Sequence, residues 1–305
     1  MRTFDFRNQQ IHKKTMNILT FDIEEWFLEK NYFGNRQEKY QAFDLYLNQI
    51  LDKLEREQKK ATFFCLGGMA REFPEVVRRI ADKGHEIGCH SDQHVWITKL
   101  TEEEFRTDTI RAIDTLEQCV GKKVLSYRAP AFSIGHSNKW AFEILAECGI
   151  ERDASIFPAV RDYGGFPEFG QKVPSIVKYN GVEIKEFPIC TTNIMGTEIA
   201  YSGGGYFRFF PLWFVANKMR QADYTMTYFH INDLVPEQMM EKEIFEQYFK
   251  EKATLFNRYK RLIKSNLGNK RAFNKMMKLI DKFEFQDLAT ADRTIMWNHV
   301  PITKL

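Results

Sequence analysis

The sequence predicts a parallel α/β barrel, on two observations. Apolar runs of strand length alternate with amphipathic helical stretches about seven times, the pattern of a parallel sheet with crossover helices. Most of those runs end in polar residues, and the C-terminal ends of parallel strands are where such folds do chemistry. At 305 residues the chain accommodates two domains, or one barrel with an appendage.

Taken in order, Met16 to Phe21 reads as a first buried strand, ending in Asp22, Glu24, Glu25 and Trp26. Phe43, Tyr46, Leu47, Ile50, Leu51 and Leu54 recur at helical spacing over 41–58. A second strand, 61–66, is closed by Gly67 and Gly68. A helix over 69–83 carries Pro74 near its start or at a break and ends at Gly84. A third strand, 86–89, opens into His90. Thr101 with Glu104 forms a capping-box signature for a helix to about Val120, stopped by Gly121.

A fourth strand, 123–127, ends in Arg128-Ala129-Pro130, and Ser137 starts a helix through Cys148. A fifth strand near Glu151 carries Asp153, and a sixth covers 182–189. Glycines 203–205 read as a loop that leaves clearance beside the backbone, which the resemblance described below assigns to a substrate, ahead of a helix over 211–221. A seventh strand, 224–229, ends at His230. From about Glu241 the pattern is helical only, to about Phe283. The chain thus divides into an N-terminal arm (1–15), a barrel (16–238) and a mainly helical, basic C-terminal extension (239–305).

Apolar content of 44% and charged content of 28% are those of an ordinary globular protein, and a net charge of +3 is too small to imply nucleic acid. Five cysteines, odd in number and without a CxxC pair, suit reduced thiols. The N-terminus is polar and basic without an apolar h-region, and no run of 18 apolar residues occurs. The expectation is a cytoplasmic protein. Between Lys250 and Lys282, eleven Lys or Arg stand against two acidic residues. That stretch reads as a solvated face, or as peripheral docking to anionic lipid or glycan phosphate.

His90 and His94, four residues apart, would share one face of a helical turn and reach a single cation. If residues 22–24 are extended, Asp22 and Glu24 share a face while Ile23 points away. Two histidines joined by a carboxylate would suit zinc, with cobalt, iron or nickel also accommodated. His85 reads as a buried structural hydrogen-bonder. Trp26 and Tyr206 read as aromatic stacking platforms for a ligand or as core.

Taken together and in this order, Asp22 at a strand end, His90-Ser91-x-x-His94, Arg128-x-Pro130 and Tyr228-Phe229-His230 resemble the polysaccharide deacetylases of the NodB-homology group (carbohydrate esterase family 4-like), over roughly 16–236. The wording around Phe21–Phe27 and Gly203–Arg208 resembles a branch associated with bacterial exopolysaccharide and surface-glycan loci. The resemblance implies a distorted (β/α)7 barrel with a helical C-terminal extension. It also implies a metal-dependent hydrolase that removes N-acetyl groups from an acetamido sugar in a lipid- or nucleotide-linked glycan precursor.

By position, Asp22 matches the base, His90 and His94 match metal ligands, and Arg128 matches the partner of the base. His230 matches the general acid, and Asp153 matches the residue that supports that histidine. The family's common pattern has a second, metal-ligating aspartate where this chain has Ile23, and Glu24 is the nearest substitute, so the resemblance implies a metal set of Glu24, His90 and His94. That departure keeps two alternatives open, an allantoinase-like hydrolase of a small cyclic amide and an inactive glycan-binding barrel.

Overall fold

Central strands such as residues 20–23 and 62–65 are buried at every position, as a parallel sheet sandwiched by helices requires. The computed structural model describes residues 15–33, 36–161, 164–236, 239–249 and 251–305. All of the expected N-terminal arm but Thr15 lies outside these residues.

The first half runs β1 (Met16–Ile18), β2 (Thr20–Ile23), α1 (Glu25–Leu28), α2 (Gln37–Arg56), β3 (Thr62–Cys65), α3 (Gly67–Glu72), α4 (Pro74–Asp82) and β4 (Glu86–Cys89). Next come α5 (Glu102–Val120), β5 (Ser126–Tyr127), α6 (Ala141–Glu147), β6 (Arg152–Asp153), β7 (Ser175–Tyr179) and β8 (Val182–Glu186). A hairpin of β9 (Thr191–Ile194) and β10 (Thr197–Ala200) precedes α7 (Gly204–Phe209), α8 (Leu212–Gln221), β11 (Tyr224–Met226) and β12 (Phe229–His230). The C-terminal part holds α9 (Lys242–Phe249), α10 (Leu255–Asn266), α11 (Asn269–Lys282), α12 (Leu288–Thr294) and β13 (Ile302–Lys304).

β1 pairs with β11 and β2 with β12, so residues 16–23 and 224–230 lie side by side along their length. From β12 the parallel order continues through β2, β3, β4, β5, β6 and β8. These are the seven parallel strands of the expected barrel, in barrel order. Among the described residues no ladder joins β8 back to β11. Side chains span that seam instead: Tyr224 Oη donates to the Pro188 carbonyl at 2.9 Å, and the Met226 N–H donates to Cys190 Sγ at 3.0 Å. The open seam is the distortion. Beyond β8 the sheet continues through antiparallel β7 to β13, which runs parallel to β7.

Local signals explain most of the helix ends. Thr101 Oγ1 accepts the Glu104 N–H while Glu104 Oε2 accepts the Thr101 N–H, and Gly121 closes α5 in the left-handed region. Pro74 splits the expected 69–83 helix into α3 and α4. The glycine run is corrected. A Cβ on Gly203 would lie 1.9 Å from the Tyr228 carbonyl oxygen, and one on Gly204, at φ +56°, would lie 2.7 Å from the Tyr228 ring. The clearance therefore serves the neighbouring strand rather than a sugar, and α7 starts within the run.

A strap from Phe283 to Thr294 crosses beneath the strands. Gln286 exchanges backbone hydrogen bonds with Asn17 and Leu19. The Leu288 N–H donates to Thr62 Oγ1 at 2.8 Å and the Ala289 N–H to Glu86 Oε2 at 2.9 Å. Asp292 then pairs with Arg152 at 3.1 Å and Lys185 at 2.7 Å. Among the described residues no helix is long and apolar enough to cross a membrane.

His85 is buried as expected, its Nδ1 accepting the Ala61 N–H at 3.4 Å and its ring 5.2 Å from that of Phe63. Burial, helped by the charge of Lys60, pushes its pKa down to about 4. The unfolded chain therefore takes up a proton here that the folded chain refuses as pH falls from about 6.5 to about 4. Stability is lost over that window, by roughly 3 kcal/mol. His85→Met should flatten this dependence: urea midpoints at about pH 7 and about pH 4.5 should differ more in the wild type than in the variant.

Candidate metal-binding active site

The cluster gathers where β2, β4, β5 and β12 end. β2 carries Asp22, which stands in register beside His230 of β12. Glu24 leaves the extended conformation (φ −137°, ψ −18°) to cap α1, yet its carboxylate reaches the same cluster while Ile23 is buried in the core. His90 follows β4 directly, its N–H donating to the Cys65 carbonyl at 2.9 Å.

The expected helical turn from His90 to His94 is not what forms. Ser91 and His94 both take left-handed backbone conformations (φ +75° and +60°), and Ser91 Oγ accepts the His94 N–H at 3.0 Å. This tight loop brings the two rings within 5.3 Å of each other. Glu24 Oε2 lies 3.3 Å from His90 Nε2 and 2.8 Å from His94 Nε2.

Arg128, fully buried after β5, spreads over the Phe64 ring at 4.2 Å. Its Nη1 donates to Asp22 Oδ1 and Thr20 Oγ1, each at 2.7 Å, and its Nε donates to the Ala154 carbonyl at 3.2 Å. Both contacts of Nη1 lie on β2, so the guanidinium fixes one carboxylate oxygen and leaves Oδ2 facing His230 Nε2 at 3.6 Å.

Two assignments from sequence are corrected. Asp153 is buried, but its Oδ1 accepts from Ser155 Oγ at 2.5 Å and its carboxyl group faces that of Glu186. Burial raises both pKa values, and the charge of Asp153 raises that of Glu186 further, so this pair retains a proton. Among the described residues no contact joins Asp153 to His230. The partner of His230 is Asp233, whose Oδ2 lies 3.2 Å from Nδ1. The H-x-x-D spacing at the end of the seventh strand was the available signal. Trp26 is 1% exposed and packs on Phe43, so it cannot stack on a sugar, whereas Tyr206 on α7 is 49% exposed.

Glu25 was noted in the sequence without a role. It is buried, and its carboxylate accepts the Asn232 N–H at 3.0 Å and the Glu24 N–H at 3.2 Å. It thereby ties the Glu24 turn to the loop after His230. Burial and the neighbouring Glu24 push its pKa up to about 7.

Charge is concentrated here. Burial would raise the pKa of Glu24, but His94, His90 and His230 outweigh it and hold the group well below the usual carboxylate range. For His230 burial acts downward. The Asp233 hydrogen bond and the charges of Glu24, Asp22 and Asp233 overcome that and raise it to about 10.

The donor set fits a cation on chemical grounds. His90 Nδ1 lies 2.7 Å from the Arg128 carbonyl oxygen, which can only accept, so Nδ1 carries the proton and Nε2 presents a lone pair. That lone pair faces Glu24 Oε2, a buried oxygen with no hydrogen-bond donor of its own. The ligating atoms of Glu24, His90 and His94 all lie within 4.8 Å of one another. Acceptors converging without a donor repel unless a positive charge lies between them.

A family model described as "Polysaccharide deacetylase" covers residues 9–152, and a second, "Domain of unknown function (DUF3473)", covers 154–292. The first contains Asp22, Glu24, His90, His94 and Arg128; the second contains His230 and Asp233. A peptidoglycan-N-acetylglucosamine deacetylase of Bacillus cereus is 41% identical over 96 residues, 31% of this chain and 35% of that protein. A peptidoglycan-N-acetylmuramic acid deacetylase of Bacillus subtilis is 30% identical over 106 residues, 32% of this chain and 40% of that protein. The chain thus spans well under half the length of these curated relatives. A crystal structure from Mycobacterium smegmatis that carries the polysaccharide deacetylase name superposes with a TM-score of 0.64 at 17% identity, covering 98% of this chain and 96% of that one, so the fold is shared along the whole length. The first family model lies over the strands that carry Asp22, Glu24, His90, His94 and Arg128, so residues 9–152 of the chain are similar to the polysaccharide deacetylases.

Proposed function

We propose that the chain is a metal-dependent hydrolase that removes N-acetyl groups from an acetamido sugar of a surface-polysaccharide precursor. The observation that carries this reading is the convergence of Glu24 Oε2 with His90 Nε2 and His94 Nε2 beside a separate Asp22–Arg128 pair and His230. A divalent cation held by Glu24, His90 and His94, zinc in the first place, would supply the Lewis acidity that makes water nucleophilic at neutral pH.

The chain's own residues divide the proton work. Asp22, held through Oδ1 by Arg128, offers Oδ2 as the base that takes a proton from the attacking water. His230 carries its proton at neutral pH and donates it from Nε2 to the departing amine nitrogen as the carbon–nitrogen bond breaks. Asp233 orients that ring through Nδ1. The products are acetate and a free amino sugar. Tyr206, half exposed on α7, offers a ring on which a sugar face could stack. The five free cysteines support a reducing, cytoplasmic setting and hence a lipid- or nucleotide-linked precursor.

Acetate release from chitooligosaccharides and from peptidoglycan fragments, by chain reconstituted with zinc, tests the reading. Hydrolysis of allantoin with no acetate from any acetamido sugar would replace it with the cyclic-amide alternative. The partner of His230 has its own test. Asp233→Asn removes the charge that favours the protonated ring, so the pH at which kcat declines on the basic side should move downward. Asp153→Asn should leave that limb in place. A profile displaced by Asp153→Asn and not by Asp233→Asn would reverse the assignment.

A further inference from the structure

Large apolar side chains are unevenly exposed. Of the sixteen that stand in solvent among the described residues, eight lie between Tyr206 and Leu267. On α10 and the residue after it, Phe256, Tyr259, Ile263 and Leu267 recur at helical spacing along one stripe, with Phe256 75% exposed. Leu267 at the end of this stripe lines a groove of about 760 Å³ with Phe209 of α7 and with Arg271 and Lys278 of α11, and α8 exposes Trp213 to 70%. The same helices are strongly basic: α10 and α11 together hold nine Lys or Arg and one acidic residue, Asp281, which is engaged by Lys53. Lys260, Arg271 and Lys278 are exposed.

An apolar stripe rimmed by cations has two needs, burial and negative charge. A second copy of this face would satisfy the first and violate the second, because it sets cation against cation. An anionic bilayer surface satisfies both: the aromatic and aliphatic side chains enter the headgroup–acyl boundary while Lys and Arg meet lipid phosphates. We propose that the α7–α8 and α10–α11 face docks the protein onto an anionic lipid bilayer. The surface adjoins the candidate active site. Arg208, on the groove wall, lies 3.7 Å from Asp233, the partner of His230. Docking therefore sets the rim of the site beside the membrane, where a lipid-carried glycan would be presented.

The test is co-sedimentation of the full chain with phosphatidylcholine vesicles, with and without about 30% phosphatidylglycerol. Binding to the anionic vesicles alone is expected, weakened by salt raised from about 0.1 to about 0.5 M. The Phe256→Ser/Ile263→Ser variant and the Lys260→Glu/Arg271→Glu/Lys278→Glu variant should each bind about tenfold less, with unchanged thermal melting because every altered side chain is exposed. Absence of binding to anionic vesicles, or equal binding by both variants and wild type, overturns the proposal. A wild-type dimer that Phe256→Ser/Ile263→Ser dissociates, without vesicle binding, gives the face to a second copy instead. None of these readouts needs turnover, so the outcome is separate from that for the deacetylase reading.

Discussion

Asp22→Asn should lower kcat by about 10³-fold, inside the roughly 10²–10⁴-fold range of a lost general base, while leaving metal content unchanged. The expectation follows from the division of carboxylates. Asp22 is occupied by Arg128 at 2.7 Å on one oxygen and faces His230 on the other, whereas the two ligating histidines lie against Glu24. The substitution keeps the volume and one oxygen for Arg128, so the loss would reflect proton transfer rather than collapse of a buried ion pair. Steady-state kinetics with elemental analysis of the same sample decides it. Unchanged turnover would remove Asp22 as base, and lost metal would make it a ligand.

Glu24→Ala should have the opposite signature, losing the metal first and activity as a consequence. About one ion per wild-type chain should fall to a small fraction in the variant. The drop in affinity should exceed the roughly 10–100-fold typical of losing an outer partner of a ligand. Two neutral histidines bring no negative charge to offset a divalent cation, which is why the carboxylate matters. Metal retained in the variant would move the third ligand away from Glu24. Excess zinc restoring turnover to Glu24→Ala would show that the rest of the site is intact.

Much of this arrangement is legible in the sequence. The seven parallel strands were visible because buried parallel strands are continuous apolar runs, and their ends named Asp22, His90, Arg128 and His230 correctly as neighbours. What the residues could not reveal follows from local physics. β9 and β10 are polar and half-exposed, so no apolar run announced them, although Gly196 at φ +86° marks their turn. β7 alternates buried and partly exposed positions, and β13 is three residues long. The His90–His94 spacing was read as helical because two periodicities place ligands together. The chain used a third route, two left-handed residues pinned by Ser91 Oγ. Asp153 meets Glu186 rather than His230 because β6 and β8 place the two carboxyl groups in register, while His230 takes Asp233, three residues along.

The strap beneath the barrel bears on how the molecule is made. Residues 286–292 bind Asn17, Leu19, Thr62, Glu86, Arg152 and Lys185, tying β1 and the residue after it to β3, β4, β6 and β8 along the lower rim of the sheet. Those contacts span up to about 270 residues of sequence, so they raise contact order and slow the final closure. During synthesis the sheet strands up to β12 emerge with their lower rim unprotected, and residues 286–292 lock it only after those strands have been made.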